Sequence, residues 1–338
     1  MRGITGRMTN PAASPDVSDE RVIHVCGLIA RRDDGAVLQV RKRGSGKFQF
    51  PGGKPEAGET EDQTILRECA EEIGCTPDRS RMVRLGSLAA RAANEPGFTV
   101  RGELWLTDEV LEARPDSEIA EARWLTPADR EGLELAQLSR TALAGLERLR
   151  ACGTATVYAG SAEGVDPRGR ALAAGLGAGL ARAGVEVAYG GGAVGLMGVL
   201  GDAVVEHGGR LRGIMPESMI DAEIAHPRLS ELTRTPDMAA RKAALREAAG
   251  VVFVLPGGSG TLDEFFETWT LQQLGHFPYP IVLLGTAYWT PLVDYLRTVV
   301  GAGFLLGRYL ERLIVADDLA SAGAALAQWE TPASKYPR

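Results

Sequence analysis

The rhythm of hydrophobic and polar positions changes near the middle of the chain. In the first half, short apolar runs are punctuated by turn residues. Residues 22–30 read as a strand, Asp33-Asp34-Gly35 as a hairpin turn, and residues 36–40 as the strand returning from it. Phe48-Gln49-Phe50 runs into Pro51-Gly52-Gly53, Asn94-Glu95-Pro96-Gly97 marks a loop, residues 99–106 alternate as a strand, and residues 118–125 form a further extended segment. A helix rich in Leu, Ala and Arg is expected over about residues 129–150. From Thr154 onward strands and helices take turns. Strands are predicted at 154–158, 185–189, 211–216, 251–256 and 281–284, with helices at 168–183 and 196–207 between the first of them. That order predicts a parallel, Rossmann-like, doubly wound sheet. The chain is therefore expected to divide into a polar, disordered tail (1–19, with Met8 a second candidate start), one α/β domain over 20–150 and another over 151–330. There is neither a long linker nor an internal repeat.

Composition narrows the class. A chain of 338 residues suits two domains of moderate size, and 45% hydrophobic with 24% charged residues is the balance of a soluble globular protein. The net charge is −7 and no basic stripe is present, which argues against nucleic acid as a partner. No apolar run reaches membrane-span length, and the first residues carry no signal-peptide core. The four cysteines form no CxxC pair and the four histidines are scattered. Reduced cysteines in a cytoplasmic protein without a zinc site are the expectation.

Chemistry first appears at Gly53-Lys54-Pro55-Glu56-Ala57-Gly58-Glu59 and Arg67-Glu68-Cys69-Ala70-Glu71-Glu72-Ile73-Gly74. Glu68, Glu71 and Glu72 stand at i, i+3 and i+4, on one face of a helix, where like charges repel unless a cation sits among them. Hard divalent cations take such oxygen ligands together with substrate phosphates. The whole stretch resembles the Nudix box, with Gly53, Glu59, Arg67, Glu68, Glu71, Glu72 and Gly74 in place and Cys69 and Cys75 at its apolar positions. The resemblance implies a Nudix α/β/α sandwich and Mg²⁺- or Mn²⁺-dependent hydrolysis of a nucleoside diphosphate linked to another group. It makes Glu68, Glu71 and Glu72 the metal ligands, Glu72 also catalytic, and Gly53, Glu59 and Arg67 the frame of the loop and helix. Glu118 is open between an extra ligand or base and a surface carboxylate.

The second half offers three glycine-rich turns after strands: Ala159-Gly160-Ser161, Gly190-Gly191-Gly192 continuing to Gly195-Leu196-Met197-Gly198, and Pro256-Gly257-Gly258-Ser259-Gly260-Thr261-Leu262-Asp263-Glu264. In an open parallel sheet such turns line one crevice, where backbone amides and helix N-termini receive phosphate. No Lys-Ser/Thr follows, so none is a Walker loop. The third turn resembles the PGGxGTxxE motif of the Lonely-guy (LOG) family of nucleoside 5′-monophosphate phosphoribohydrolases. Arg241-Lys242 after Met238, and Tyr189-Gly190-Gly191-Gly192 with the following Gly-Leu-Met-Gly, match it too; the similarity runs over nearly all of residues 153–315. Where the family has Cys-Gly-Ser in the first turn, this chain has Ala159-Gly160-Ser161. Breaking an N-glycosidic bond passes through an oxocarbenium-like centre that a carboxylate stabilises. The resemblance makes Arg241 and Glu264 the catalytic pair. It assigns phosphate or nucleotide contacts to Gly160, Ser161, Gly190, Gly191, Gly192, Met197, Met238, Lys242, Gly257, Gly258, Ser259, Gly260 and Thr261. No cofactor is implied for this half, and a homodimer through it is.

Taken together, the two motifs predict a bifunctional nucleotide hydrolase acting on small-molecule nucleotides, with AMP or a cytokinin riboside monophosphate as the default second substrate. The alternative is a LOG-like domain that binds a nucleotide without turnover and regulates the Nudix half.

Overall fold

The computed structural model describes residues 21–91, 98–220 and 225–336. The predicted tail and the 94–97 loop lie outside these residues. The first half runs β1 (Arg21–Ala30), β2 (Val37–Lys42), β3 (Phe48–Gln49), β4 (Gly52–Gly53), α1 (Glu61–Ile73), β5 (Val83–Arg91), β6 (Phe98–Thr107), β7 (Ile119–Leu125) and α2 (Gln137–Ala151). Two sheets result, ordered β4-β1-β6-β5 and β3-β2-β7. The expected hairpin does not extend into a ladder, and β1 and β2 lie in different sheets. Its turn forms, with the Arg32 N–H donating to the Ala36 carbonyl at 2.9 Å, but β1 and β2 share only the bridge Arg31–Val37 before parting. Each strand finds a longer partner: β1 pairs in parallel with β6 over ten residues, and β2 pairs antiparallel with β7. Thr60 opens α1, its N–H donating to Gln63 Oε1 at 3.0 Å, and Gly74 ends it in the left-handed region at φ 62°. The helix predicted from about residue 129 begins instead at Gln137. Residues 128–130 make a lone 3₁₀ turn and Gly132, at φ 81°, breaks it.

The second half continues β8 (Thr154–Tyr158), α3 (Pro167–Ala183), β9 (Glu186–Tyr189), α4 (Gly195–Glu206), β10 (Leu211–Pro216), α5 (Glu217–Ile220), β11 (Glu231–Thr235), α6 (Met238–Ala248), β12 (Val251–Val254), α7 (Ser259–Gln273), β13 (Ile281–Leu284), α8 (Thr286–Gly301), α9 (Gly307–Leu310), β14 (Ile314–Ala316) and α10 (Leu319–Leu326). Its strands form one parallel sheet ordered β11-β10-β9-β8-β12-β13-β14. The central strands are buried along their whole length, as a parallel sheet covered on both faces requires. Successive strands are laid down on one side of β8 and then on the other. All the turns at their carboxyl ends therefore open on one edge, on both sides of the reversal.

The two halves share a core. Leu85, Leu88, Leu104, Leu146 and Leu149 belong to one buried apolar cluster with Leu176, Leu180, Leu319 and Leu326. Helix α10 lies on α2 at a point where two glycines meet: a Cβ on Gly145 would stand 2.6 Å from the Gly323 carbonyl carbon. Asp318 serves both sides. Its Oδ1 caps α10 by accepting the Ser321 N–H at 2.8 Å, while its Oδ2 accepts the Ser87 N–H of β5 at 2.9 Å. Arg182 pairs with Asp108, and the Arg150 guanidinium donates to the Ala183 carbonyl across the same seam.

Candidate functional sites

In the first half, Gly52 and Gly53 run beside β1 and bring the chain over α1. Gly52 sits at φ 138° with its Cα hydrogens against the Cys26 carbonyl, so no side chain fits. A Cβ on Gly53 would overlap the Glu68 carboxylate, so that carboxylate packs directly on bare backbone. Arg67 lies at the centre of the acidic set. It donates to Glu59 from Nε at 2.7 Å and Nη2 at 2.9 Å, to Glu68 at 2.9 Å and to Glu71 at 3.3 Å. This engagement holds the Glu59 carboxyl at about 2, well below the carboxylate range. Glu59 and Arg67, expected to frame the box, are thus joined to each other by two hydrogen bonds.

Glu72 points elsewhere. It is buried, its Oε2 accepts the Gly52 N–H at 2.9 Å, and its Oε1 faces Lys42 Nζ at 3.5 Å without accepting a hydrogen bond. Burial, with a smaller push from Glu68, lifts its carboxyl to about 7 against the pull of the Gly52 amide and Lys42. Lys42 also pairs with Glu118, so that carboxylate faces the site through a lysine. Among the described residues no three His, Cys, Asp or Glu side chains converge within metal-ligating reach; Arg67 draws Glu68 and Glu71 to itself while Glu72 turns to Gly52. The donor set nonetheless fits a hard cation: carboxylate oxygens on one helix turn, one of them buried without a hydrogen bond. A cleft of about 420 Å³ opens beside it, lined by Cys26, Lys42, Phe50, Gly53, Glu68 and Glu118 among others. Lys42 and Gly52 were not singled out from the sequence; the doubled glycine before the box was the signal for the second.

In the other half, β8, β9 and β12 end at Tyr158, Tyr189 and Val254, and the three glycine turns follow at one edge. They are close-packed. A Cβ on Gly160 would be 3.2 Å from Gly257 Cα, and the Gly160 N–H donates to the Pro256 carbonyl at 3.2 Å. Thr261 is buried against Gly257, whereas Gly258 and Gly260 have open space where a side chain would be, and Ser161 and Ser259 are exposed beside them. Gly191 adopts φ 80° against Met215.

Arg241 and Glu264 meet beneath these turns. Asp237 caps α6 by accepting the Ala240 N–H at 2.8 Å, which starts the helix one turn before Arg241. From there Arg241 Nε donates to the Ile214 carbonyl at 3.1 Å and Nη1 donates to Glu264 Oε1 at 2.8 Å. Both residues are 8% exposed. Gly190 leaves room for the guanidinium, since a Cβ there would run into Nη2 and stand 3.2 Å from Met197 Sδ. Burial raises the Glu264 carboxyl while Arg241 pulls it back down. Behind Glu264, Thr268 Oγ1 donates to the Glu264 carbonyl at 2.8 Å and shares a 2.9 Å hydrogen bond with Tyr158. Two expected contacts lie apart from this centre. Lys242 is spent on Asp263 at 2.9 Å and Glu267 at 2.6 Å, and Met238 is exposed at the start of α6.

A loop and acidic helix of the Nudix kind, and a parallel sheet with a buried Arg–Glu pair under three glycine turns, make this a hydrolase with two domains. The family model described as NUDIX domain matches residues 20–144, and the one described as "possible lysine decarboxylase" matches residues 197–326. A cytokinin riboside 5′-monophosphate phosphoribohydrolase of Rhodococcoides fascians is 39% identical over 173 residues, covering 51% of this chain and 87% of that protein. One from Mycobacterium marinum is 35% identical, covering 52% and 93%. The chain belongs to this phosphoribohydrolase family and carries a Nudix hydrolase domain ahead of it. Among solved structures, a MutT NUDIX hydrolase from Burkholderia pseudomallei is 24% identical, covering 37% of this chain and 97% of that one with a TM-score of 0.33. The molybdenum cofactor carrier protein of Chlamydomonas reinhardtii is also 24% identical, covering 52% and 96% at a TM-score of 0.40.

Proposed function

We propose that the chain is a bifunctional nucleotide hydrolase whose two sites act in sequence. The Nudix half hydrolyses a nucleoside diphosphate derivative and leaves a nucleoside 5′-monophosphate. The LOG-like half then splits that monophosphate into free base and ribose 5-phosphate. The observation that carries the reading is the buried Arg241–Glu264 pair beside the open Gly258–Gly260 backbone. A carboxylate kept out of water costs stability, and such a group at the edge of a crevice marks a candidate functional site.

In this reading Glu264 lies against C1′ of the ribose, stabilises the positive charge that grows there as the bond to the base breaks, and orients the attacking water. Arg241 holds Glu264 in place and keeps it ionised. The amides of residues 258–261 and the start of α7 take the phosphate, while Gly160, Ser161 and residues 190–192 wall the crevice. In the Nudix half, Glu68, Glu71 and Glu72 would hold Mg²⁺ or Mn²⁺, which when bound polarises the diphosphate. Glu59 and Arg67 hold the box in shape, and Lys42, placed between Glu72 and Glu118, brings a positive charge to the cleft. AMP and its N6-substituted relatives are the first substrates to try. We further propose the division at the end of α2, a homodimer through the LOG-like half, and a cytoplasmic setting for the free thiols.

The test is incubation with a panel of nucleoside 5′-monophosphates in EDTA, with chromatography for free base and ribose 5-phosphate. Release that vanishes in Glu264→Ala supports the reading. A folded protein that binds monophosphates but releases nothing would make this half a sensor for the Nudix half instead.

A further inference from the structure

The backbone from Pro256 to Thr261 receives one side-chain hydrogen bond among the described residues: Tyr288, on the first turn of α8, donates from its hydroxyl to the Gly257 carbonyl at 2.7 Å. Nothing in the sequence motif announces this residue, which lies 31 positions downstream. Tyr288 is 49% exposed, and its ring packs edge-on against the buried Trp289 at 4.9 Å between centroids. Trp289 is itself fixed by its indole N–H donating to the Leu284 carbonyl at 3.1 Å. The phenol is therefore a short arm on a rigid base.

What this arm grips is a peptide plane. The Gly257 carbonyl and the Gly258 N–H belong to the same planar trans amide and point in opposite directions. A peptide between two glycines meets little steric resistance to rotating as a unit, because neither side carries a Cβ. Holding the carbonyl toward α8 turns the Gly258 N–H away from α8, and both Gly258 and Gly260 have open space where a side chain would stand. We infer that Tyr288 is a positioning residue for the phosphate site, locking the Gly257–Gly258 peptide so that its amide is presented to the phosphoryl group of the nucleotide. The inference rests on the phosphoribohydrolase reading above, and it assigns the residue to binding rather than to bond cleavage, since Arg241 hydrogen-bonds to Ile214 and Glu264 and not to Tyr288.

Tyr288→Phe removes the hydroxyl and keeps the ring. With the 5′-monophosphate that the wild type turns over, KM should rise about fivefold, the equivalent of about 1 kcal/mol for one lost hydrogen bond. The inhibition constant of inorganic phosphate should rise by the same factor, with kcat within about twofold of wild type. A purely structural tyrosine would lower thermal stability without moving the phosphate constant. An unchanged KM and phosphate constant in the variant overturn the inference, whereas a wild type that hydrolyses no monophosphate overturns the reading beneath it. Should the variant fail to fold, the Gly258 amide resonance of the wild-type protein, followed during titration with inorganic phosphate, decides instead: a shift supports the inference and an unmoved resonance refutes it.

Discussion

Gly145→Val tests whether the two halves stand as one body. In the structure even a single methyl at this position would lie 2.6 Å from the Gly323 carbonyl carbon and 2.9 Å from the Ala324 nitrogen, both backbone atoms that cannot swing aside. Ordinary carbon contacts need about 3.5–4.0 Å, so α2 and α10 must separate by roughly 1 Å. Overpacking of this kind costs about 1–3 kcal/mol. A glycine-to-alanine change recovers roughly 0.5–1 kcal/mol of helix propensity, so Gly145→Ala is the milder case and the branched valine the stronger. At about 2 °C per kcal/mol for a protein of this size, valine should lower the melting midpoint by about 2–6 °C. The assay is differential scanning calorimetry, with both hydrolytic activities followed through the same temperatures. Because Leu85, Leu146, Leu180 and Leu319 share one cluster, a single transition should move and both activities should fall together. Two resolved transitions with one unmoved, or a midpoint that does not shift, would refute the shared-core argument.

Other outcomes follow from the two sites. Gly53→Ala pushes into the Glu68 carboxylate, so metal-dependent release from a diphosphate precursor should fall about 10–100-fold while release from the monophosphate is unchanged; kinetics on the two substrates read this directly. Glu72→Gln should likewise abolish base release from the precursor and spare it from the monophosphate, and loss of both would break the division of labour. Glu264 has a carboxyl raised above its ordinary 4.5, so it ionises only above that value and the acid limb of kcat/KM should lie there too. Since Arg241 pulls this carboxyl down, Arg241→Met should move the limb to still higher pH; a limb that stays fixed or moves down would separate Arg241 from the ionisation of Glu264. The same sign governs stability: the folded state holds that proton more tightly than the unfolded chain, so this group's contribution declines as pH rises above 4.5.

Much of this was legible because chemistry fixes local spacing. Glu68, Glu71 and Glu72 had to share a helix face, and the turn at Pro256 to Thr261 had to precede a helix carrying Glu264. Long-range partnership was less legible. The turn at Asp33-Asp34-Gly35 reads as a hairpin, yet its two strands go to different sheets because β6 and β7 offer them longer ladders. The register of β5 slips between Arg84 and Gly86, which blurs the alternation by which a strand is recognised. Lys242 follows Arg241 in the motif, but one step along a helix turns it by about 100°, toward the carboxylates of α7 rather than the crevice. Tyr288 and Lys42 act through contacts between distant segments, for which local pattern carries no signal.

The seam between the halves bears on the order in which the chain is made. Helix α2 is finished at Ala151, but the helix that covers it ends at Leu326, about 175 residues later. At about 5–20 residues per second, a ribosome takes roughly 9–35 s to cross that interval. Helix α3 brings Leu176 and Leu180 to this cluster early, but Leu85, Leu88, Leu146 and Leu149 lack the part of their cover that α10 supplies until the interval ends. That apolar flank is closed only when Asp318 seats α10 against Ser87.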